Sequence, residues 1–472
     1  MFCGVFVCHM HDYFSDDFIS LCHYMTPIGA LQIRNGYTPS ISSSQLVHPT
    51  PTPRTFRGLS EFFPSNTAYF YSFPSGQDSS FFNGVPPWME ELVAARSLVC
   101  AGPNVKGVVF SPSMDPLTWD IMTQHFGVDL IEKSSAIRLS SVITNDLSGE
   151  ERNRLVKESI ASSISSGQLV QAQPFMDEHL QHLYQIPPRV TINLNDKFSR
   201  EQYISEKYLP RIFGTYANGQ EFFQSTDSIP FPSVIKVSSS SSGDGVRIAM
   251  DQAEFEAIKK EFSDITTTII IEQFIKSAHN LCVQFGIPAD PTQPIQMLGY
   301  NEQVTTEHGG FLAGIVDPFK RVAGIENVNK VLLNEILPKV RSMGWYGVGG
   351  IDVLIVDENE FYFIDSNFRM TATFTFIYLH QTHQVSHATA SFAGSFRGSY
   401  DDFLNKIAPL GRKGHNDQIM SVIALTHRDG LFRFNAGILF DNAASLKSNA
   451  QRLLDLGVES SSLSTLVKTD RF

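Results

Sequence analysis

Residues 347–369, GVGGIDVLIVDENEFYFIDSNFR, constrain the fold more than any other part of the chain. Two apolar, β-prone runs flank the polar cluster Asp357-Glu358-Asn359-Glu360, so the segment predicts a β hairpin. With a four-residue loop Val356 pairs with Phe361, and counting outward sets position 352 opposite position 365. Asp352 and Asp365 then face each other across the strands, with Asn367 on the same face. A slip of one residue would separate them. Carboxylates that face one another repel, and a hard divalent cation offsets the repulsion; Asp, Asp and Asn oxygens suit Mg²⁺ or Mn²⁺. The plain reading of the same pattern is a pair of solvent-facing acids that alternate with core residues.

Upstream, Lys236 ends the apolar run PSVIK and is followed by Ser238 to Ser242, then Gly243, Asp244, Gly245 and Val246. Consecutive small residues let backbone N–H groups approach an anion, and a lysine on the adjoining strand adds positive charge. No GKS or GKT follows, so this is not a Walker loop. Lys197 stands one helix earlier, after RVTINLND, a run read as a strand leading into a helix with Tyr203, Ile204 and Tyr208. TIIIEQFI reads as a buried strand emerging into a connector, where Gln273, Phe274 and Ile275 could lie beside a planar base and Glu272 marks the exit.

The rest of the chain frames these elements. A stretch rich in Ser, Thr and Pro from Thr38 to Gly58 predicts a connector, so residues 1–80 are read as an arm plus linker. Regular structure is expected from Phe81: a strand at Val105 to Pro112, a helix capped by Asp115 and closed by Gly127, then a strand in VDLIE, the rhythm of an α/β layer over 81–187. Ser148 to Ser166 reads as an exposed helix, Asp251 and Glu254 as the capping box of another, and Val328 to Ser342 as a third. His380, His383 and His387 fall at helical spacing and read as helix histidines rather than a metal set. Thr305, Glu307 and His308 with Gly309-Gly310 predict a turn near a substrate pocket.

Of the 472 residues, 36 are Lys or Arg and 48 are Asp or Glu, for a formal charge of −12, which gives phosphate polymers no bulk attraction. No 18-residue apolar run is present, so no membrane span is expected. Cys3, Cys8, Cys22, Cys100 and Cys282 form no CxxC pair, and the apolar start is a poor signal peptide; both point to the cytoplasm.

In order, these pieces resemble the ATP-grasp superfamily of carboxylate–amine ligases over roughly Arg189 to Arg369, with D-x-N-x-R (Asp365, Asn367, Arg369) as the most specific match. The resemblance implies an ATP-grasp fold of α+β and α/β type over 188–472. Its parts are a lid-containing segment (188–275), a metal-hairpin segment (276–400) and an extension (401–472), preceded by a Rossmann-like pre-ATP-grasp domain. It implies ATP held by Lys197, Lys236, Ser241, Ser242, Gly243, Asp244, Gly245, Val246, Glu272, Gln273, Phe274, Ile275 and His279, with Mg²⁺ or Mn²⁺ on Asp352, Asp365 and Asn367. Arg369 and Lys236 become the catalytic residues, and Arg369, Glu307 and His308 the substrate contacts. The family often has an acid for the ribose where this chain has His279, and D-alanine-type ligases have Arg where it has Gly350. The implied reaction moves a phosphoryl group onto a carboxylate, after which an amine displaces phosphate to leave an amide and ADP. Its partners are small carboxylates and amines, amino acids or peptides, and a homo-oligomer is compatible with it. A carboxylase, a phosphotransferase or a non-catalytic ATP-binding protein are the alternatives; loss of Asp352, Asp365 or Asn367 would have marked the last, and all are present.

Overall fold

The computed structural model describes residues 58–70, 87–102, 105–110, 116–127, 136–138, 149–171, 174, 176–238, 245–306, 310–382 and 385–468. The first sheet holds β1 (Thr67–Phe70), β2 (Val105–Phe110), β3 (Ala136–Arg138) and β4 (Leu169–Gln171) in the order β3-β2-β1-β4, all parallel. Parallel neighbours require crossovers, and helices Pro87–Cys100 and Gly149–Ser163 lie in these connections, burying Leu98 and Val99 in one case and Val156 and Ile160 in the other. This is the expected α/β layer, with one correction: β1 lies inside the stretch read as arm and linker, and it sits mid-sheet between β2 and β4. Four residues, TAYF, are too short a run to stand out by periodicity. The helix after β2 runs Pro116–Asp120, continues as a π turn over Ile121–His125, and closes at Gly127 with φ +63°. Asp115 and VDLIE lie outside the described residues.

The second sheet holds β5 (Ile212–Tyr216), β6 (Ser233–Val237), β7 (Val246–Ala249) and β8 (Ile269–Gln273) in the antiparallel order β5-β8-β6-β7. Helix Gln252–Glu261 packs Phe255 and Ile258 onto it, and Phe262 joins the same core. Asp251 caps that helix through the Glu254 N–H, but the Glu254 carboxylate accepts from Met250 N rather than from the cap itself.

The third sheet is nine-stranded: β9 (His279–Ile287), β10 (Gln296–Thr305), β11 (Phe311–Val316), β12 (Gly347–Ile355), β13 (Phe361–Asn367), β14 (Ala388–Arg397), β15 (Met420–Arg428), β16 (Leu431–Phe440) and β17 (Val458–Glu459). Its order is β13-β12-β9-β10-β11-β14-β16-β15, with β17 on β14. Leu281, Val283, Phe285, Ile351 and Val353 bury one face against the helical run Ile325–Val331, Leu332–Ile336 and Leu337–Ser342, whose middle is a π turn ahead of Pro338. That leaves the opposite face of β9, β12 and β13 for chemistry. Among the described residues no helix is long and apolar enough to cross a membrane.

A second correction falls at RVTINLND, which is not a strand. Residues Pro188–Asn195 are a helix with proline in its first turn, and Pro188, Thr191 and Leu194 are its buried positions. Val190, Ile192 and Leu194 alternate like a strand, but burial follows the three-residue spacing because Pro187-Pro188 starts a helix. Short 3₁₀ turns at Lys197–Gln202 and Glu206–Tyr208 replace the longer helix expected next.

Candidate active site

The hairpin forms with a three-residue turn. Val356 N and Asp357 N both donate to Glu360 O, and Ile355, not Val356, pairs with Phe361. That register alone would have misaligned the acids. A bulge between Asp352 and Val353 shifts the pairing by one and restores Asp352 opposite Asp365, with Gly350 opposite Asn367. The expected juxtaposition is present, reached by a different route.

Each carboxylate has a distinct environment. Burial, followed by the charge of Asp365, pushes the Asp352 carboxyl up to about 6, and its Oδ1 is buried with no hydrogen-bond partner. Burial also acts on Asp365, but the charges of Lys197, Lys236, Arg200 and Arg369 outweigh it and hold that carboxyl below its ordinary range. Lys197 Nζ lies 3.5 Å from Asp365 Oδ2, and Ser366 N donates to Asp365 Oδ1 at 2.9 Å. An orphaned oxygen beside an ionised one, with an amide oxygen two residues on, is a donor set that fits a hard divalent cation.

Next to the acids lies a buried ion network. Lys236, Arg200 and Glu272 are 5%, 3% and 1% exposed, so these charges compensate one another rather than meeting water. Glu272 accepts from Arg200 Nη2 and, at 2.7 Å, from Lys236 Nζ. Lys236 also donates to Ile364 O at 3.0 Å, while Arg200 donates to Phe363 O at 3.2 Å and to Lys197 O at 2.7 Å. The network ties β6 and β8 of the small sheet to β13 of the large one. Burial lowers the Lys236 pKa even though Glu272 pulls the other way. Burial raises that of Glu272, and Arg200 and Lys236 more than reverse it.

Arg200 was not among the residues picked from sequence. Its spacing of three from Lys197, within one short helix, is the signal that could have found it. Glu272, expected beside the nucleotide, is buried as the counter-ion of Arg200 and Lys236. Gln273 is exposed at the end of β8, and Phe274 and Ile275 begin the connector to β9. Lys236 pairs with Val246 across the hairpin, and Val237 N donates to Gly245 O, so the stem of the Ser/Gly loop is formed. Ser241, Ser242, Gly243 and Asp244 lie outside the described residues, as do Glu307, His308 and His383.

His279 is not brought to this face. Strand alternation sets it with Leu281 on the helix-packed side of β9, where Nδ1 lies 3.1 Å from Glu302 Oε1. His380 bonds Thr389, burial pushing it down to about 4, and His387 lies 3.8 Å from Asp441. Among the described residues no three His, Cys, Asp or Glu converge on a metal position; the hairpin set is two carboxylates and an amide. Gly350 leaves no room for the arginine of D-alanine-type ligases: a Cβ there would stand 2.7 Å from Cys282 Sγ and 2.8 Å from Thr371 Cγ2.

Two sheets, joined by an ion network that leads to a pair of facing acids, are arranged as in the ATP-grasp fold. Residues 215–367 match the family described as L-aspartate–L-methionine ligase, ATP grasp. An ADP complex of N5-carboxyaminoimidazole ribonucleotide synthetase superposes with a TM-score of 0.51 at 11% identity, over 86% of this chain and 99% of that one. A biotin carboxylase–beta-gamma-ATP complex from Campylobacter jejuni gives 0.50 at 12%, over 85% and 94%. Likeness at that identity speaks for the fold. The family match supplies the reaction class: the chain is a carboxylate–amine ligase that forms carbon–nitrogen bonds.

Proposed function

We propose that this enzyme condenses two amino acids into a dipeptide through an acyl phosphate, consuming ATP with Mg²⁺ or Mn²⁺, and that aspartate-like and methionine-like substrates are its two classes. The observation that carries this is the facing pair Asp352 and Asp365, one oxygen unpartnered, beside the cations Lys197 and Lys236. Asp352, Asp365 and Asn367 would hold the cation, which supplies charge neutralisation at the phosphates.

Lys197, Lys236 and the loop from Ser238 to Val246 hold the phosphate oxygens, and the connector from Gln273 to Ile275 lies beside the base. Arg369 orients a substrate carboxylate. Oxygen of one carboxylate attacks the γ-phosphorus and ADP leaves; the amine of the second substrate attacks the acyl carbon, phosphate leaves, and the amine loses a proton. Positioning and neutralisation suffice, so no side-chain nucleophile is required. Glu272 serves the site indirectly, by keeping Lys236 charged against burial.

The same reading takes 81–187, extended back to β1, as the Rossmann-like domain and 188–472 as the grasp. It places the protein in the cytoplasm, where the buried thiols of Cys100 and Cys282 stay reduced, acting on small molecules without nucleic acid or membrane. The test is ADP and phosphate release with Mg²⁺ across an amino-acid panel, with mass spectrometry of active mixtures. A product one water lighter than its two substrates is the expected result. ATP binding with no condensed product from any pair would refute the ligase reading.

A further inference from the structure

Arg369 lies just beyond β13, on a backbone that its neighbours fix. Phe368 and Met370 are buried on either side of it, and Phe368 packs edge-on against Trp345 at 5.0 Å and Tyr203 at 5.6 Å. Further along, Thr373 Oγ1 accepts from Gln284 Nε2 at 2.8 Å and donates to Asn301 Oδ1 at 2.6 Å. A fixed backbone does not fix the guanidinium, because a half-buried arginine still turns about several side-chain bonds.

The side chain is held by Asn195, the last residue of helix Pro188–Asn195. Asn195 Oδ1 accepts from Phe368 N at 3.0 Å and from Arg369 Nη1 at 2.7 Å, while Asn195 Nδ2 donates to Thr191 O at 2.8 Å. Donors at one end of the amide and a carbonyl at the other leave it a single orientation. Asn195 also opens a run of chain that follows β13 in order. Lys197 Nζ is 3.5 Å from Asp365 Oδ2, and Arg200 Nη1 donates to Phe363 O at 3.2 Å. One short stretch thus sets the arginine, the acid and the strand relative to one another.

An amide at this position has a chemical consequence. A carboxylate would also hold the guanidinium, but it would neutralise it and turn a second acceptor toward the Thr191 carbonyl. The amide orients the group and leaves its charge for an incoming anion. Among the described residues Arg369 forms no ion pair, and its charge acts on both Asp352 and Asp365, which sets it beside the cation-binding face.

We infer that Asn195 is a positioning residue, which holds the Arg369 guanidinium uncompensated where a substrate carboxylate meets it next to the cation. The inference rests on the ligase reading, in which Arg369 orients that carboxylate, and adds to it the group that keeps the orientation.

The experiment is a double-mutant cycle on the full chain with ATP and Mg²⁺, following condensed product from the amino-acid pair that the unaltered enzyme joins, aspartate and methionine first. Arg369→Met identifies the amino acid that depends on the guanidinium by a fall in its kcat/KM. Asn195→Ala should lower the same kcat/KM about tenfold or more, with KM for ATP changed less than about twofold. In the Arg369→Met background the further fall should stay below about twofold, because the group that Asn195 holds is gone. Asn195→Asp keeps an acceptor for Phe368 N but pairs the guanidinium, and it too should lower that kcat/KM only where Arg369 is present. Circular dichroism establishes that each variant is folded, and either substitution at Asn195 decides the matter if the other does not fold. Falls of equal size in both backgrounds would make Asn195 merely structural and overturn the inference. So would an unchanged kcat/KM in folded Asn195 variants when Arg369→Met lowers it. Arg369→Met without effect overturns the carboxylate role of Arg369 together with the inference and leaves the ligase reading standing. No condensed product from any pair, although ATP binds, overturns both.

Discussion

Glu272→Gln tests the buried network most directly. The carboxylate is 1% exposed and accepts from Arg200 and from Lys236, the latter at 2.7 Å. Glutamine keeps the shape and an acceptor oxygen but removes the charge, leaving two buried cations whose remaining partners are backbone carbonyls and the more distant Asp365. Breaking a buried pair by removing one partner costs about 3–5 kcal/mol, because the other charge stays desolvated. The cost here belongs to the upper part of that range, since two cations lose the same partner. Part is recovered if Lys236 sheds its proton, which its burial already favours, and the phosphate site then loses a charge. Urea unfolding followed by tryptophan fluorescence has a suitable reporter in Trp345, which packs 5.0 Å from Phe368. ADP binding to the native variant gives the functional half of the result and should weaken at least tenfold. Charge-removing Arg200→Met in the same background should give back part of the lost stability, since one unpaired cation disappears. A loss below about 1 kcal/mol together with unchanged ADP binding would refute the reasoning, because such a pair would resemble a surface bridge.

Other consequences follow from the same geometry. Asp365→Ala should reduce turnover by about 10³-fold or more while the fold persists, since its side chain is a quarter exposed; wild-type turnover would remove it from the cation site. Gly350→Arg, which introduces the D-alanine-type residue, should destabilise by about 1–3 kcal/mol through overpacking against Cys282 and Thr371, and a melting temperature equal to the parent's would contradict the crowding. Cation binding should also be proton-linked. The Asp352 carboxyl is raised to about 6, so below that pH the cation-free protein carries a proton that ligation must expel; above it none is released. Calorimetry of Mg²⁺ binding in buffers of different ionisation enthalpy should show nearly one proton released at pH 5 and almost none at pH 8, and equal release at both would contradict the assignment.

How far the site was legible varies with the range of the interactions. Asp352, Asp365 and Asn367 were readable because a hairpin is local and its period is two. Even there the turn was misjudged by one residue, and only the bulge kept the acids opposed. Lys236 at a strand end beside a small-residue loop was readable for the same reason. The partners of Glu272 are not legible in the sequence, because a strand exit looks alike whether its acid meets a nucleotide or a buried arginine. His279 followed from counting along a connector, and the count does not reveal which face of β9 the residue joins. RVTINLND carries both a two-residue and a three-residue pattern, and the proline pair outweighed the alternation.

The sequence by itself determined the local units: the acid hairpin, the lysine-led loop, the amphipathic helix over Gln252–Glu261 and the apolar strands that carry them. Each depends on residues a few positions apart, where periodicity and turn chemistry act directly. Tertiary structure alone decided that Arg200 on a 3₁₀ turn, Glu272 on β8 and Lys236 on β6 share one buried charge network. It also decided that Asn195 at the end of a helix accepts from Arg369 beyond β13, and that β15 and β16 extend the large sheet. Those partners lie tens to hundreds of residues apart, so their meeting depends on strand order and sheet packing, which no short-range pattern encodes.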